Sequence, residues 1–153
     1  MMELERLQDL SVYYWLKGQL PDFVQIVDAF PAQINQADTP LTLPVVSVDH
    51  INIRAVAFEL GGLETNEQMW AIDVFAKQKS QRDDFTYKLV NELKHGIPVY
   101  DYNQGFPPVV IDCIGALITD NIQAKPVYVF RDLVKDLYWR STITFSSRYQ
   151  PYN

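Results

Sequence analysis

A single cysteine, Cys113, stands among the 153 residues. No intramolecular disulfide is available, which excludes a disulfide-built secreted scaffold. Histidine is nearly as scarce, with only His50 and His95, and no Cys/His spacing suits zinc. Of the six glycines, none sits in a phosphate-binding loop: Gly61-Gly62 lacks the P-loop lysine, and there is no G-x-S-x-G elbow. The longest apolar stretch, Val109 to Ile118, is broken by Asp112 and reaches about half a membrane span. Basic residues are outnumbered thirteen to nineteen, for a net charge of −6. That balance opposes tight binding to a phosphate backbone. Met1-Met2-Glu3-Leu4-Glu5 lacks the basic start of a signal peptide.

What remains is a chain that can fold alone. Hydrophobic residues make up 48%, and a chain of this size buries roughly two thirds of its unfolded surface without a metal staple. The expectation is one soluble, acidic domain, residues 1–153, made inside a cell.

The pattern along the chain mixes two periods. Leu4, Leu7, Leu10, Ser11 and Tyr14 fall at helical spacing, with Gly18 and Pro21 ending the helix. Asp22 to Phe30, closed by Pro31, reads as a second short helix or turn. Val45 to Val48 has strand composition. Arg54 to Leu60 alternates Val56, Phe58 and Leu60 with polar or small residues, and Trp70, Ile72 and Val74 alternate again. Across Gly61-Gly62 these two runs predict an antiparallel hairpin. Ser80-Gln81-Arg82-Asp83 resembles a capping box opening a helix whose face is Phe85, Leu89, Val90 and Leu93 and whose stop is Gly96 with Pro98. Strands are expected from Ile114 to Ile122, over Val127-Tyr128-Val129, and from Tyr138 to Arg148. In the last, Leu137, Trp139, Ile143 and Phe145 oppose Arg140, Thr142, Thr144 and Arg148. The predicted fold is α+β, an antiparallel β-sheet covered on one side by helices. Its predicted core is Val56, Phe58, Leu60, Trp70, Ile72, Val74, Phe85, Leu89, Leu93, Trp139, Ile143 and Phe145.

Chemistry-bearing patterns are weak. Asp49-His50 follows a strand, but adjacent residues of an extended chain point to opposite faces, so a surface turn is the expected reading. His95 sits at a helix C-terminus, where an imidazole suits the dipole. Cys113 has no basic neighbour to activate it and reads as a buried structural thiol. The acidic residues are dispersed. No catalytic residue, cofactor or metal is expected, and the chain is not expected to be an enzyme.

Two features point to assembly instead. Residues 125–153 carry Lys125, Arg131, Lys135, Arg140 and Arg148 against Asp132 and Asp136, a net of +3, which leaves −9 for the rest. Such asymmetry suits head-to-tail contact between copies. Aromatics reach 13% and lie where a small core does not need them. Tyr13-Tyr14-Trp15 spreads around a helix, Tyr100, Tyr102 and Phe106 occupy a loop, and Tyr149 and Tyr152 lie near the C-terminus. Aromatics outside a core are enriched at protein interfaces.

On several stretches the chain resembles the small tail terminator (tail completion, or neck) proteins of tailed bacteriophages. These are the N-terminal helical segment ending in Asp28-Ala29-Phe30-Pro31, the Pro-bounded Leu41-Thr42-Leu43-Pro44-Val45-Val46-Ser47-Val48, and Ala57-Phe58-Glu59-Leu60-Gly61. Trp70-Ala71-Ile72-Asp73-Val74-Phe75-Ala76, the helix opening Gln81-Arg82-Asp83-Asp84 and the Arg/Thr-rich strand near the C-terminus complete them. The resemblance implies an α+β virion protein, synthesised in the host bacterial cytoplasm, that forms a ring, commonly a hexamer. It would cap the tail tube and join it to head-completion proteins while genomic DNA passes through. A head-completion (stopper) protein is the near alternative, and a small enzyme or ligand-binding domain using Asp49, His50 or Cys113 the distant one. Within the ring reading, Arg140 and Arg148 are expected to meet Glu64 and Glu67 of a neighbouring subunit. Tyr100, Tyr102 and Phe106 are expected to dock the tube or head.

Overall fold

Alternating apolar residues in three long strands build the sheet on which everything else rests. The computed structural model describes residues 1–28, 42–57, 64–127 and 139–152, without the side chains of 54–57 and 64–66. Helix α1 spans Leu4–Gln19. Strand β1 (Gln25–Val27) is followed by β2 (Val45–Ala57) and β3 (Glu64–Ala76), then by α2 (Lys79–Leu93). Strand β4 (Ile97–Tyr100) leads into a 3-10 turn (Tyr102–Gln104), and β5 (Cys113–Val127) and β6 (Trp139–Pro151) close the order.

The six strands form one sheet in the order β1-β2-β3-β6-β5-β4. All neighbouring pairs are antiparallel except β1 with β2, which is parallel. The α+β class therefore stands, but the sheet is mixed rather than antiparallel. The cause is Gln25-Ile26-Val27, which lies in the stretch expected to be a short helix or turn and is instead a strand. The backbone N–H of Gln25 donates to the Pro44 carbonyl at 3.1 Å, and the three residues pair with Val45, Val46 and Ser47. The two strands expected at 45–48 and 54–60 are one strand in the described part, bulged between His50 and Asn52.

Both helices pack on the same face. Trp70, Ile72 and Val74 of β3 meet Val46 and Val48 of β2, Ile143 and Phe145 of β6, Leu117 of β5, and Leu7, Val12, Leu16, Leu89 and Leu93 from the helices. Each large aliphatic side chain so buried contributes about 1.5–3 kcal/mol. Trp70 Nε1 donates to Ser147 Oγ at 2.8 Å, which satisfies the buried indole. On the opposite face Val45 and Phe75 form a smaller buried cluster.

The expected core is borne out at Trp70, Ile72, Val74, Phe85, Leu89, Leu93, Ile143 and Phe145. Trp139 is half-buried, with the Arg82 guanidinium 5.6 Å from its ring centre. Phe58 and Leu60, Gly61-Gly62, Tyr128-Val129, Leu137 and the side chain of Val56 lie outside the described residues, as do Ala29-Phe30-Pro31, Leu41 and Glu59.

Two further corrections concern the helices. In α1 the buried side chains are Leu7, Gln8, Ser11, Val12 and Leu16, so the core stripe runs through Val12 and Leu16 rather than Leu4 and Leu10. Polar partners let it carry Gln8 and Ser11: Gln68 Nε2 donates to Gln8 Oε1 at 2.8 Å, and the Tyr100 N–H donates to Ser11 Oγ at 3.1 Å. At the start of α2, Ser80 makes no cap; the N-cap is Gln78. Gln81 Oε1 instead accepts the Lys77 N–H at 3.0 Å. Gly96 stops the helix as expected, with φ +78°.

Candidate functional site

The loop between β4 and β5 is a closed structure built on one buried ring. Asp101 starts its 3-10 turn by accepting the Asn103 N–H at 3.1 Å. Gln104 and Asp112 close its base: Gln104 Nε2 donates to Asp112 Oδ2 at 2.9 Å, and the Asp112 N–H donates to Gln104 Oε1 at 3.0 Å. Tyr102 lies inside, stacked on Tyr14 of α1 at 5.3 Å and on Phe106 at 5.8 Å, with Tyr100 edge-on at 6.4 Å. Burial, and then the neighbouring Tyr14 and Tyr100, push the Tyr102 hydroxyl up to about 12.

The three loop aromatics expected to dock a partner thus divide. Tyr102 is buried and Tyr100 half-buried, and the two pack against each other within the loop. Phe106 is 45% exposed, and beyond it Val109 is 56% and Val110 95% exposed. Between this apex and α1 lies a groove of about 420 Å³, walled by Tyr14, Trp15, Pro98, Tyr100, Val110 and Ile111. The two valines carry no aromatic signal and escape a reading based on rings. Tyr13, Tyr14 and Trp15 are all partly buried against the core. Offset around α1 as their spacing requires, they reach both the loop and the helix surface.

The two described arginine side chains of β6 pair within the chain. Arg140 donates to Asp73 Oδ1 from Nε at 3.1 Å and Nη2 at 2.8 Å, and Thr142 Oγ1 donates to the same oxygen at 2.6 Å. Arg148 Nη2 donates to Glu67 Oε2 at 3.2 Å. Glu67 and Arg148 face each other across β3 and β6, the cross-strand equivalent of the contact expected between subunits. The Glu64 side chain is outside the described residues.

A second concave site joins α1 to β2. His50 Nδ1 stands 3.3 Å from Asp9 Oδ1, with its ring edge-on to Trp70 at 5.9 Å. Burial raises the Asp9 carboxyl above its ordinary range, while His50 and then Arg6 pull the other way. A cleft of about 500 Å³ opens here, lined by Arg6, Asp9, Asp28, Asp49, His50 and Trp70 among others. Asp49 and His50 lie within β2, not in the surface turn expected. The Asp9–His50 pairing spans elements far apart in sequence, and no local motif signals it.

Cys113 is exposed, contrary to the expectation of a buried thiol, and its Sγ lies 3.4 Å from the Gly115 carbonyl. It begins β5, beyond the register shift at which Val99 pairs with Gly115 and Tyr100 with Cys113, so it does not follow buried Gly115 and Leu117 inward. Being on β5, it does not line the Asp9–His50 cleft. His95 is exposed after α2, its N–H bonded to the Glu92 carbonyl at 3.1 Å. Among the described residues no group of three or more His, Cys, Asp or Glu is placed to hold a metal ion. No described helix is long and apolar enough to cross a membrane. No family model and no curated protein matches the chain.

Proposed function

We propose that this chain is a ring-forming structural subunit of a bacteriophage tail or neck. As a tail terminator it caps the tail tube and joins it to the head-completion proteins, and genomic DNA passes through the ring without specific binding. The observation that carries this reading is the apolar apex Phe106, Val109 and Val110, held out by a loop whose base is tied by Gln104 and Asp112. Exposed apolar side chains on a rigid mount suit docking to a protein surface. The segments that resemble the terminator family support it too: Val45–Val48, Trp70–Ala76 and the Arg/Thr-rich strand lie in the adjacent strands β2, β3 and β6, with Gln81–Asp84 in the helix above them.

Purified protein mixed with tail tubes of the same phage should cap their ends in negative-stain images. Val109→Asp combined with Val110→Asp should abolish capping while the melting temperature stays within a few degrees, since both side chains are exposed. Capping that survives this double change would remove the apex from the docking surface. Binding to portal-loaded heads instead of tubes would assign the chain to the stopper role.

A second reading, a small ligand-binding or enzymatic domain, draws on the Asp9–His50 cleft with Asp49 beside it. His50→Ala leaves tube capping unchanged under the structural reading and removes an activity or ligand under this one.

A further inference from the structure

Two edges of the sheet are incomplete. Strand β1 pairs only with Val45, Val46 and Ser47, so among the described residues β2 has no outer partner over 48–57. At the other side β4 pairs with β5 only between Cys113 and Leu117, which leaves 118–127 without an outer partner among the described residues. Each open stretch is ten residues long, about 33 Å at the usual rise per residue. An unpaired edge is a template for another strand, and monomeric proteins blunt such edges with short length, charge, proline or bulges. Each open stretch has one bulge, between His50 and Asn52 and between Asp120 and Gln123. The β2 edge carries Asp49 and Arg54, but it also presents isoleucine: Ile51 is 59% exposed and Ile53 44%. The β5 edge offers Ile118, 53% exposed, and has Lys125 and Pro126 only towards its far end.

The two edges are complementary in direction and outline. Strand β2 is antiparallel to β3, β3 to β6 and β6 to β5, so β2 and β5 run in opposite senses. A second copy set alongside in the same orientation brings its β5 antiparallel to β2, the stronger of the two ladders. The helices of both copies then stay on one face. Strand β1 fills one end of the first edge and β4 the opposite end of the second, so the edges meet as a stepped joint after a shift along the strands. Asp28 and Asp49 flank the β2 edge, with Asp9 behind them. The β5 edge has Lys125, against Asp120, with Lys94 and His95 at the end of α2 beside it, where Thr119 Oγ1 bonds to the Leu93 carbonyl.

We infer that copies of this chain join edge to edge, β2 of one against β5 of the next, in a continuous sheet between subunits. This deepens the ring reading and rests on it for closure. Arg140 and Arg148, already engaged by Asp73 and Glu67, are not what joins the copies.

Two blocked variants test the joint. Ile51→Lys with Ile53→Lys closes the β2 edge, and Ile118→Glu with Lys125→Glu closes the β5 edge. By analytical ultracentrifugation each alone should be monomeric, with association weakened roughly tenfold or more relative to wild type. Mixed one to one, they should form a dimer and nothing larger, because one open β2 and one open β5 remain; the dimer also shows that both variants are folded. A mixture that stays monomeric overturns the joint. Dimers of the β5-blocked variant alone overturn it in favour of a symmetric β2–β2 contact. Wild-type rings with both variants still assembling overturn the joint and leave the ring reading standing. A wild type that is monomeric overturns both.

Discussion

Asp9 carries a charge its surroundings disfavour, and this sets a pH dependence with a definite sign. Its folded value lies above the ordinary 3.8 because burial outweighs His50 and Arg6. The folded chain therefore holds this proton where the unfolded chain has lost it. Stability from this group falls as the pH rises from about 3.8 through the folded value. Asp9→Asn should remove that component: the melting temperature of the variant relative to wild type should rise between pH 4 and pH 7, and a flat difference would contradict it. Tyr102 gives the alkaline counterpart. With its hydroxyl pushed from 10 to about 12, stability should be lost as the pH passes from 10 towards 12. Its phenolate absorbance should appear at higher pH than that of free tyrosine, and Tyr14→Ala should bring it earlier. Neither group could be ranked from sequence, because partners such as His50 for Asp9 and Tyr14 for Tyr102 arrive from other elements.

Elements with a long, regular period were legible, and short or borrowed ones were not. Trp70, Ile72 and Val74 alternate and Phe85, Leu89 and Leu93 step by helical turns, so β3 and α2 could be read from their own residues. Strand β1 could not. Three residues show no period, and what makes Gln25–Val27 a strand is the partner at Val45–Ser47. Candidate-site residues follow the same rule. The loop was visible in its aromatics, but which ring is buried depends on the stack with Tyr14. Two substitutions test the elements that were read. Leu89→Ala should cost about 2–5 kcal/mol in chemical denaturation, as for a fully buried leucine; a loss near zero would mean α2 packs by another face. Gly96→Ala should also destabilise, by about 1 kcal/mol or more. A Cβ there would lie 2.8 Å from the Leu117 carbonyl oxygen, at a φ that L side chains rarely adopt.

For the whole molecule, the ion pairs of the sheet divide by how deeply they are buried. Arg140 is largely buried against Asp73, whereas Arg148 is more exposed against Glu67. Arg140→Glu should lower the melting temperature clearly, while Arg148→Glu should change folding stability by less than about 1 kcal/mol. Equal effects would show that the two pairs are not ranked by burial. The sequence exposed the charge imbalance between the two ends of the chain but not this division, since Asp73 and Glu67 meet their arginines only through the β3–β6 register. One further feature governs shape. Strands β3 and β6 run through the middle of the sheet in unbroken register, but β2 gains a residue between His50 and Asn52, and β5 gains one between Asp120 and Gln123, opposite the same stretch of β3 and β6. A strip whose margins are longer than its midline cannot lie flat; it buckles into a saddle, adding to the twist that strands already have. Ile51 and the Asn121–Ile122 stretch thus act as tailor's darts in reverse, cloth let into the hems. Deleting Ile51 would take that cloth out again: His50 opposite Trp70 and Asn52 opposite Met69 would become neighbours in a regular ladder, every side chain would keep its face, and that hem would lie straighter.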